Sequence, residues 1–191
     1  RPFIINLFDH LAFIKKINIG TEDMVVYENF NFKPLIYITN MMDNVYEKIP
    51  YKAVNYQYIN PTEYLIEIKN ISKPIYLNFN NSYAKDWVLD LGDRHYLPNK
   101  DHLQTDMQFN AFYINPIEIT KNYDKKLYTQ NTDGSINLKL RLYYTPQDLV
   151  NIGVYISLAI LISVFTYLFI DLLKVKDFAL KQLKFKRKRH K

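Results

Sequence analysis

The stretch NNSYAKDWVL, residues 80–89, sets the chain's one tryptophan, Trp87, four residues after Tyr83, with Asn81 and Asp86 beside them. A flat ring packs against the CH face of a pyranose, while amide and carboxylate groups hydrogen-bond to its hydroxyls. Tyr83, Trp87, Asp86 and Asn81 are therefore the candidate carbohydrate contacts. Trp87 has a competing use inside the protein. An apolar strand starts at this residue, and an indole filling a sandwich interior needs only a backbone carbonyl for its N–H. The strand pattern favours that internal use.

A second concentration of reactive groups lies in DLGDRHYLPNKDHLQTD, with Asp90, Asp93, His95, Asp101, His102 and Asp106. Oxygen ligands at this density can hold calcium, but no EF-hand-like spacing is present and histidine is a poor calcium ligand. The two histidines with a carboxylate match no zinc frame. The stretch reads as a solvated loop, and no metal or cofactor is assigned. Glu63, Glu67 and Glu118 fall on expected strands among lysines, the signature of an exposed face rather than of a paired acid and base. No catalytic residue is assigned. The absence of cysteine excludes disulfides, thiolate metal sites and thiol nucleophiles together. Asn70-Ile71-Ser72 and Asn80-Asn81-Ser82 are glycosylation sequons, meaningful only in a eukaryotic lumen.

The elements that must carry these residues follow from composition and periodicity. Of 191 residues, 48% are hydrophobic and 23% charged, which is ordinary for a globular chain, and the first residue, Arg1, is read as marking a processed or partial chain. Seventeen tyrosines and twelve phenylalanines against four glycines favour strands and argue against a phosphate-cradling loop. In FIINLFDHLAFIKKI, Phe3, Leu7, Leu11 and Ile14 recur at helical spacing, so a helix is expected there, closed by Gly20. DMVVYENF and PLIYIT read as short strands. Beyond Tyr51 the period becomes two. Tyr64, Ile66 and Ile68 oppose Glu67 and Lys69, and Ile75, Leu77 and Phe79 oppose Tyr76, Asn78 and Asn80. After the Asp133-Gly134 turn, Ile136, Leu138, Leu140 and Leu142 oppose Lys139 and Arg141. Strands with one apolar face each must bury those faces against one another, which predicts an antiparallel β-sandwich.

Residues 152–170 contain no charge, and 19 residues at about 1.5 Å each approach the thickness of a bilayer's hydrocarbon core. Tyr155 and Tyr167 lie near the two ends as interfacial anchors. Lys174, Lys176, Lys184, Lys186 and Arg187 follow on one side only, which predicts a cytoplasmic tail and a body outside. The net charge of +6 is located there: residues 174–191 hold nine Lys/Arg and one Asp, so the rest of the chain is slightly acidic. That distribution excludes a phosphate-tracking body, and no nucleic-acid partner is expected. Phe178, Leu180, Leu183 and Phe185 among the lysines are compatible with an interfacial helix on anionic headgroups, and a disordered basic tail is the alternative. The expected division is an opening α/β segment over 1–50, an extracytoplasmic sandwich over 51–147, a transmembrane helix over 148–173 and a basic tail over 174–191. The fold class is thus mainly β, an antiparallel sandwich preceded by a short α/β element and followed by one C-terminal membrane helix.

INPTEYLIEIKNISKPIYLNFNNSYAKDWVL resembles the extracytoplasmic C-terminal β-sandwich of prokaryotic membrane glycosyltransferases of the GT-C type, including the YfhO-like and arabinofuranosyltransferase-like groups. VYENFNFKPLIYIT, HLQTDMQFNAFYI and YYTPQDLVNIGVYISL are similar, in order, to further segments of that pattern. The chain departs from it at Asp86, where glycine usually precedes the tryptophan, and at Gln108 and Phe112, where the later strand has glycine and tryptophan. The resemblance implies a sandwich that serves a polytopic enzyme taking sugar from a polyprenyl-phosphate donor. Its partners would be membrane lipid, a glycan or polyprenyl-linked sugar, and transmembrane helices of the same or another protein. The competing expectation is an accessory subunit of a large membrane complex, an organellar one such as in the mitochondrial inner membrane included, that binds no sugar.

Overall fold

A computed structural model of the chain describes residues 2–11, 13–20, 24–30, 32–44 and 49–189, with the side chains of Pro2, Val175 and 177–189 outside the description. Residues 1–144 and 145–191 form two compact units.

The first unit opens with helix α1 (Pro2–Asp9) and the antiparallel pair β1 (Ile14–Ile17) and β2 (Val26–Asn29). The helix is shorter than its apolar spacing predicts, and Ile14 starts a strand. His10 and Leu11 donate back to the carbonyls of Leu7 and Phe8 in tight turns, and the following IKKI segment finds a β2 partner in register Ile14 to Asn29. Lys15 and Lys16 then point along an exposed ribbon. Tyr27 joins the pieces, its hydroxyl donating to Asp9 Oδ1 at 2.6 Å and its ring meeting Phe8 edge-on at 5.5 Å.

The sandwich follows as ten strands: β3 (Ile36–Thr39), β4 (Tyr51–Ala53), β5 (Asn55–Asn60), β6 (Glu63–Ile71), β7 (Ile75–Ser82), β8 (Trp87–Asp90), β9 (His102–Gln104), β10 (Phe109–Ile114), β11 (Tyr128–Gln130) and β12 (Ile136–Tyr144). One sheet has the order β4-β3-β7-β10-β9 and the other β11-β12-β6-β5, with β8 also beside β12 and every pairing antiparallel. The sandwich therefore takes in β3 from the opening segment: Ile36 is buried in its core, and Tyr37 is buried on the other face of the strand. Its core is the alternating apolar set legible in the sequence, with Leu77, Phe79, Phe112 and Ile114 of one sheet facing Ile66, Ile68, Leu138, Leu140 and Leu142 of the other.

Connections that change sheets shape the molecule. β4 passes into β5 through Val54 alone, so one strand edge turns the corner from sheet to sheet. Residues 83–86 arch from β7 to β8. Helix α2 (Pro116–Asn122) and a short 3-10 turn carry the chain from β10 to β11, with the Asn115 side chain accepting from Ile117 N at 3.1 Å as N-cap and Ile119 buried beneath. The Asp133-Gly134 turn joins β11 to β12, with Gly134 at φ 83 and Ser135 N donating to Asp133 Oδ1 at 3.0 Å.

The second unit is helix α3 (Gln147–Arg189). Over Gln147–Lys174 it is long and apolar enough to cross a membrane, with mean hydropathy 2.3 in its most apolar window, and that window is wholly exposed in the chain by itself. The helix continues through the basic residues to Arg189.

Candidate functional site

The arch from β7 to β8 carries the carbohydrate candidates, and their surroundings differ sharply. Trp87, 5% exposed, is enclosed between the sheets: its ring meets Phe79 edge-on at 4.8 Å, Tyr144 at 5.2 Å and Tyr64 at 6.3 Å. Such pairs add about 0.5–1.5 kcal/mol each beyond area burial. A ring enclosed on this scale has no face to offer a pyranose. Tyr83 is half-buried and lies 5.1 Å from the His102 ring, Asn81 is exposed, and Asp86 is half-buried. Of the four, Trp87 alone is buried between the sheets.

Asn110 explains the arch. Buried on β10, it donates to the Asn81 and Ser82 carbonyls at 2.8 and 3.2 Å, while its Oδ1 lies 3.3 Å from the donating Ala84 N and 3.0 Å from His102 Nε2. One amide side chain thus satisfies backbone groups that the departing strand leaves without ladder partners. His102 stacks on Phe112 at 4.4 Å, and burial pushes its imidazole below the ordinary 6.5, with the Asn110 bond acting in the other direction.

The remaining acidic and imidazole groups disperse. His95 turns its Nδ1 to the Gly92 carbonyl at 2.9 Å, Asp90 accepts from Gly92 N at 2.9 Å, and Asp93 pairs with Lys126 at 3.1 Å. Among the described residues no three His, Asp or Glu side chains gather as a metal site would require. Asn80 of the second sequon donates to the Pro34 carbonyl at 3.1 Å, whereas Asn70 sits exposed at φ 58 in a bulge opposite Asn137.

A concave surface does exist elsewhere. The outer face of the second sheet forms an open groove of about 650 Å³ between β5, β6, β12 and the 90–93 turn. Register places Asn55, Glu67 and Lys139 in one row and Gln57, Leu65, Arg141 and Asp90 in the next. Arg141 donates to Glu63 at 2.6 Å and lies 4.0 Å over the Tyr143 ring, so its guanidinium is held in place, and the Glu63 bond raises its pKa further. Donors (Lys139, Arg141), acceptors (Glu67, Asp90) and amides (Asn55, Gln57) therefore line one trough. In the sequence these residues were legible only as the polar half of a period-two pattern. Their gathering depends on β8 and its turn joining the far side of β12.

A buried polar cluster lies on the opposite sheet's outer face. Asp43, 1% exposed, accepts from Lys33 and from the Tyr37 hydroxyl, and Asn78 Nδ2 donates to Thr39 Oγ1 at 2.9 Å while its Oδ1 has no partner among the described residues. Burial and the Asp43 carboxylate push the Tyr37 phenol up strongly.

On α3, Tyr155 and Tyr167 are exposed at 71% and 70%, and Lys174 and Lys176 are exposed. Lys184, Lys186 and Arg187 continue the helix, their side chains outside the described set. Compared with protein-family models, curated proteins and solved structures, the chain matches none.

Proposed function

We propose that this chain is a membrane-anchored, extracytoplasmic β-sandwich that holds a hydroxyl-rich glycan for a membrane glycosyltransferase of the GT-C type. The observation that carries this reading is the groove on the outer face of the second sheet. Its charged and amide side chains alternate donors with acceptors, which suits a ring bearing many hydroxyls. The motif resemblance supports the partner, and the one long apolar helix among the described residues supports the anchor. The basic residues beyond Leu173 support a cytoplasmic tail with the sandwich outside. Within this reading Trp87 braces the scaffold, and the ligand-facing role passes from residues 81–87 to Asn55, Gln57, Glu67 and Lys139.

The test is binding of the detergent-solubilised chain to an array of cell-surface oligosaccharides. A glycan that binds is expected to lose about ten-fold or more in affinity to Lys139→Ala or Gln57→Ala, since each removes about 1.4 kcal/mol of hydrogen bonding. Tyr83→Ala should leave it unchanged. Binding that responds to Tyr83 and not to Lys139 would move the site back to the arch.

A second reading, an assembly subunit without sugar binding, is favoured by one observation. The N-terminal unit exposes Phe3 (78%), Ile4, Leu7, Met24 and Phe32 (71%), more apolar surface than a polar-surfaced monomer normally carries. Purification with several stoichiometric subunits and an empty glycan array would favour it.

A further inference from the structure

Sheets end in strands whose outer N–H and C=O groups have no partner, and proteins normally protect such edges with charge, proline or brevity. Four described edges show this here. β1 carries Lys15 and Lys16, β4 carries Lys52, β9 lies between Asp101 and Asp106, and β11 has only three residues. β5 is different. It is six residues long, ends the second sheet, and belongs to a stretch with no charge from Ala53 to Thr62. Tyr56, Tyr58 and Ile59 are exposed at 40%, 57% and 42%.

The side chains on this edge are also self-complementary. Pairing NYQYI with an antiparallel copy of itself about a dyad at Gln57 sets Gln57 against Gln57, Tyr56 against Tyr58 and Asn55 against Ile59. Amide side chains facing each other can donate and accept reciprocally, and each aromatic cross-strand pair contributes roughly 0.2–1 kcal/mol. No like charges meet, in contrast to Lys52 on β4 or the lysines of β1. Tyr56 and Tyr58 already cluster edge-on with buried Tyr64, at 6.0 and 5.6 Å, so a docking strand would extend an aromatic layer that starts in the core.

We infer that β5 is a homodimer seam: two copies of this chain join their second sheets edge to edge through an antiparallel β5 pair centred on Gln57. The seam is isologous, as a twofold contact must be. Confinement of copies to one bilayer by α3 raises their effective concentration and favours it further. The seam shares Asn55 and Gln57 with the groove, and Lys139→Ala, which leaves β5 unchanged, separates loss of glycan binding from loss of the dimer.

The test exploits the cysteine-free sequence. In an antiparallel pair, residues facing each other have Cα atoms about 4.5–5.5 Å apart, within disulfide reach. The Gln57→Cys chain in native membranes, treated with a mild oxidant, should form a covalent species of twice the mass of the uncross-linked chain. It should form roughly ten-fold faster than the same species from Thr129→Cys on edge β11. Gln57→Lys should abolish the dimer seen by native mass spectrometry while its circular dichroism stays at the parent value. Cross-linking of Gln57→Cys no faster than of Thr129→Cys, or disulfide capture of a different protein in place of a second copy, would overturn the seam. So would a dimer that persists in Gln57→Lys.

Discussion

Tyr83, Trp87 and His102 lie within one turn of chain and one hairpin of each other, yet burial gives each a different role. Trp87 braces the two sheets, so Trp87→Ala should cost about 3–5 kcal/mol in denaturant unfolding, whereas a ligand-binding ring on the surface would cost little. As the one tryptophan, its emission should be blue-shifted in the folded chain and resist acrylamide quenching until the sandwich unfolds. His102 makes a pH-dependent contribution. Its folded pKa lies below the 6.5 of a free imidazole, so the unfolded chain takes up the proton first as pH falls. The stability it allows is complete above about pH 6.5 and declines below that value toward the lowered folded pKa. Chemical denaturation from pH 7.5 to 5 should show this fall, and His102→Gln should flatten it; an equal slope in both proteins would assign the dependence to other groups.

Among the elements, the hairpin between β9 and β10 stores strain. Gln108 N donates to the Thr105 carbonyl at 2.8 Å, and the turn holds Gln108 at φ 59, in the left-handed region that costs an L-residue about 1–2 kcal/mol. Glycine is the residue this backbone conformation calls for. The Gln108 side chain is exposed and contributes little packing. Gln108→Gly should therefore raise stability by about 0.5–1 kcal/mol, read as a higher melting temperature, and a decrease would show that the side chain holds the turn. The opening helix teaches the reverse lesson. Its apolar spacing continued through Leu11 and Ile14, but a short helix is marginal without a surface to bury its stripe, and the IKKI segment gains a strand partner instead. Local periodicity was overridden by a pairing available only across the 15 to 28 register.

Across the molecule, the lack of cysteine makes topology directly measurable. Single replacements Asn81→Cys on the sandwich and Lys176→Cys past the apolar segment should differ in intact cells. A membrane-impermeant maleimide should label the first and leave the second until the membrane is opened. The opposite pattern would reverse the orientation that the lysine distribution implies and would move the groove to the cytoplasmic side, away from surface glycans.

Much of this protein is fixed by patterns that act locally. Alternation in EYLIEIK, IYLNFN and INLKLRL decides which side chains are buried, because successive strand residues face opposite ways whatever the partner. The Asp133-Gly134 turn follows from glycine's access to positive φ, and the apolar helix from length and lack of charge. Tertiary structure alone decided the rest. Whether Trp87 faced a sugar or the interior depended on Phe79, Tyr64 and Tyr144, which arrive from three other strands. The groove needed Asp90 to be carried beside Arg141 by a sheet-changing arch, and the uncharged edge of β5 mattered only once β6 took one side and no described strand took the other. Contacts between residues distant in sequence have no period along the chain, so only the packed sheets could bring them together.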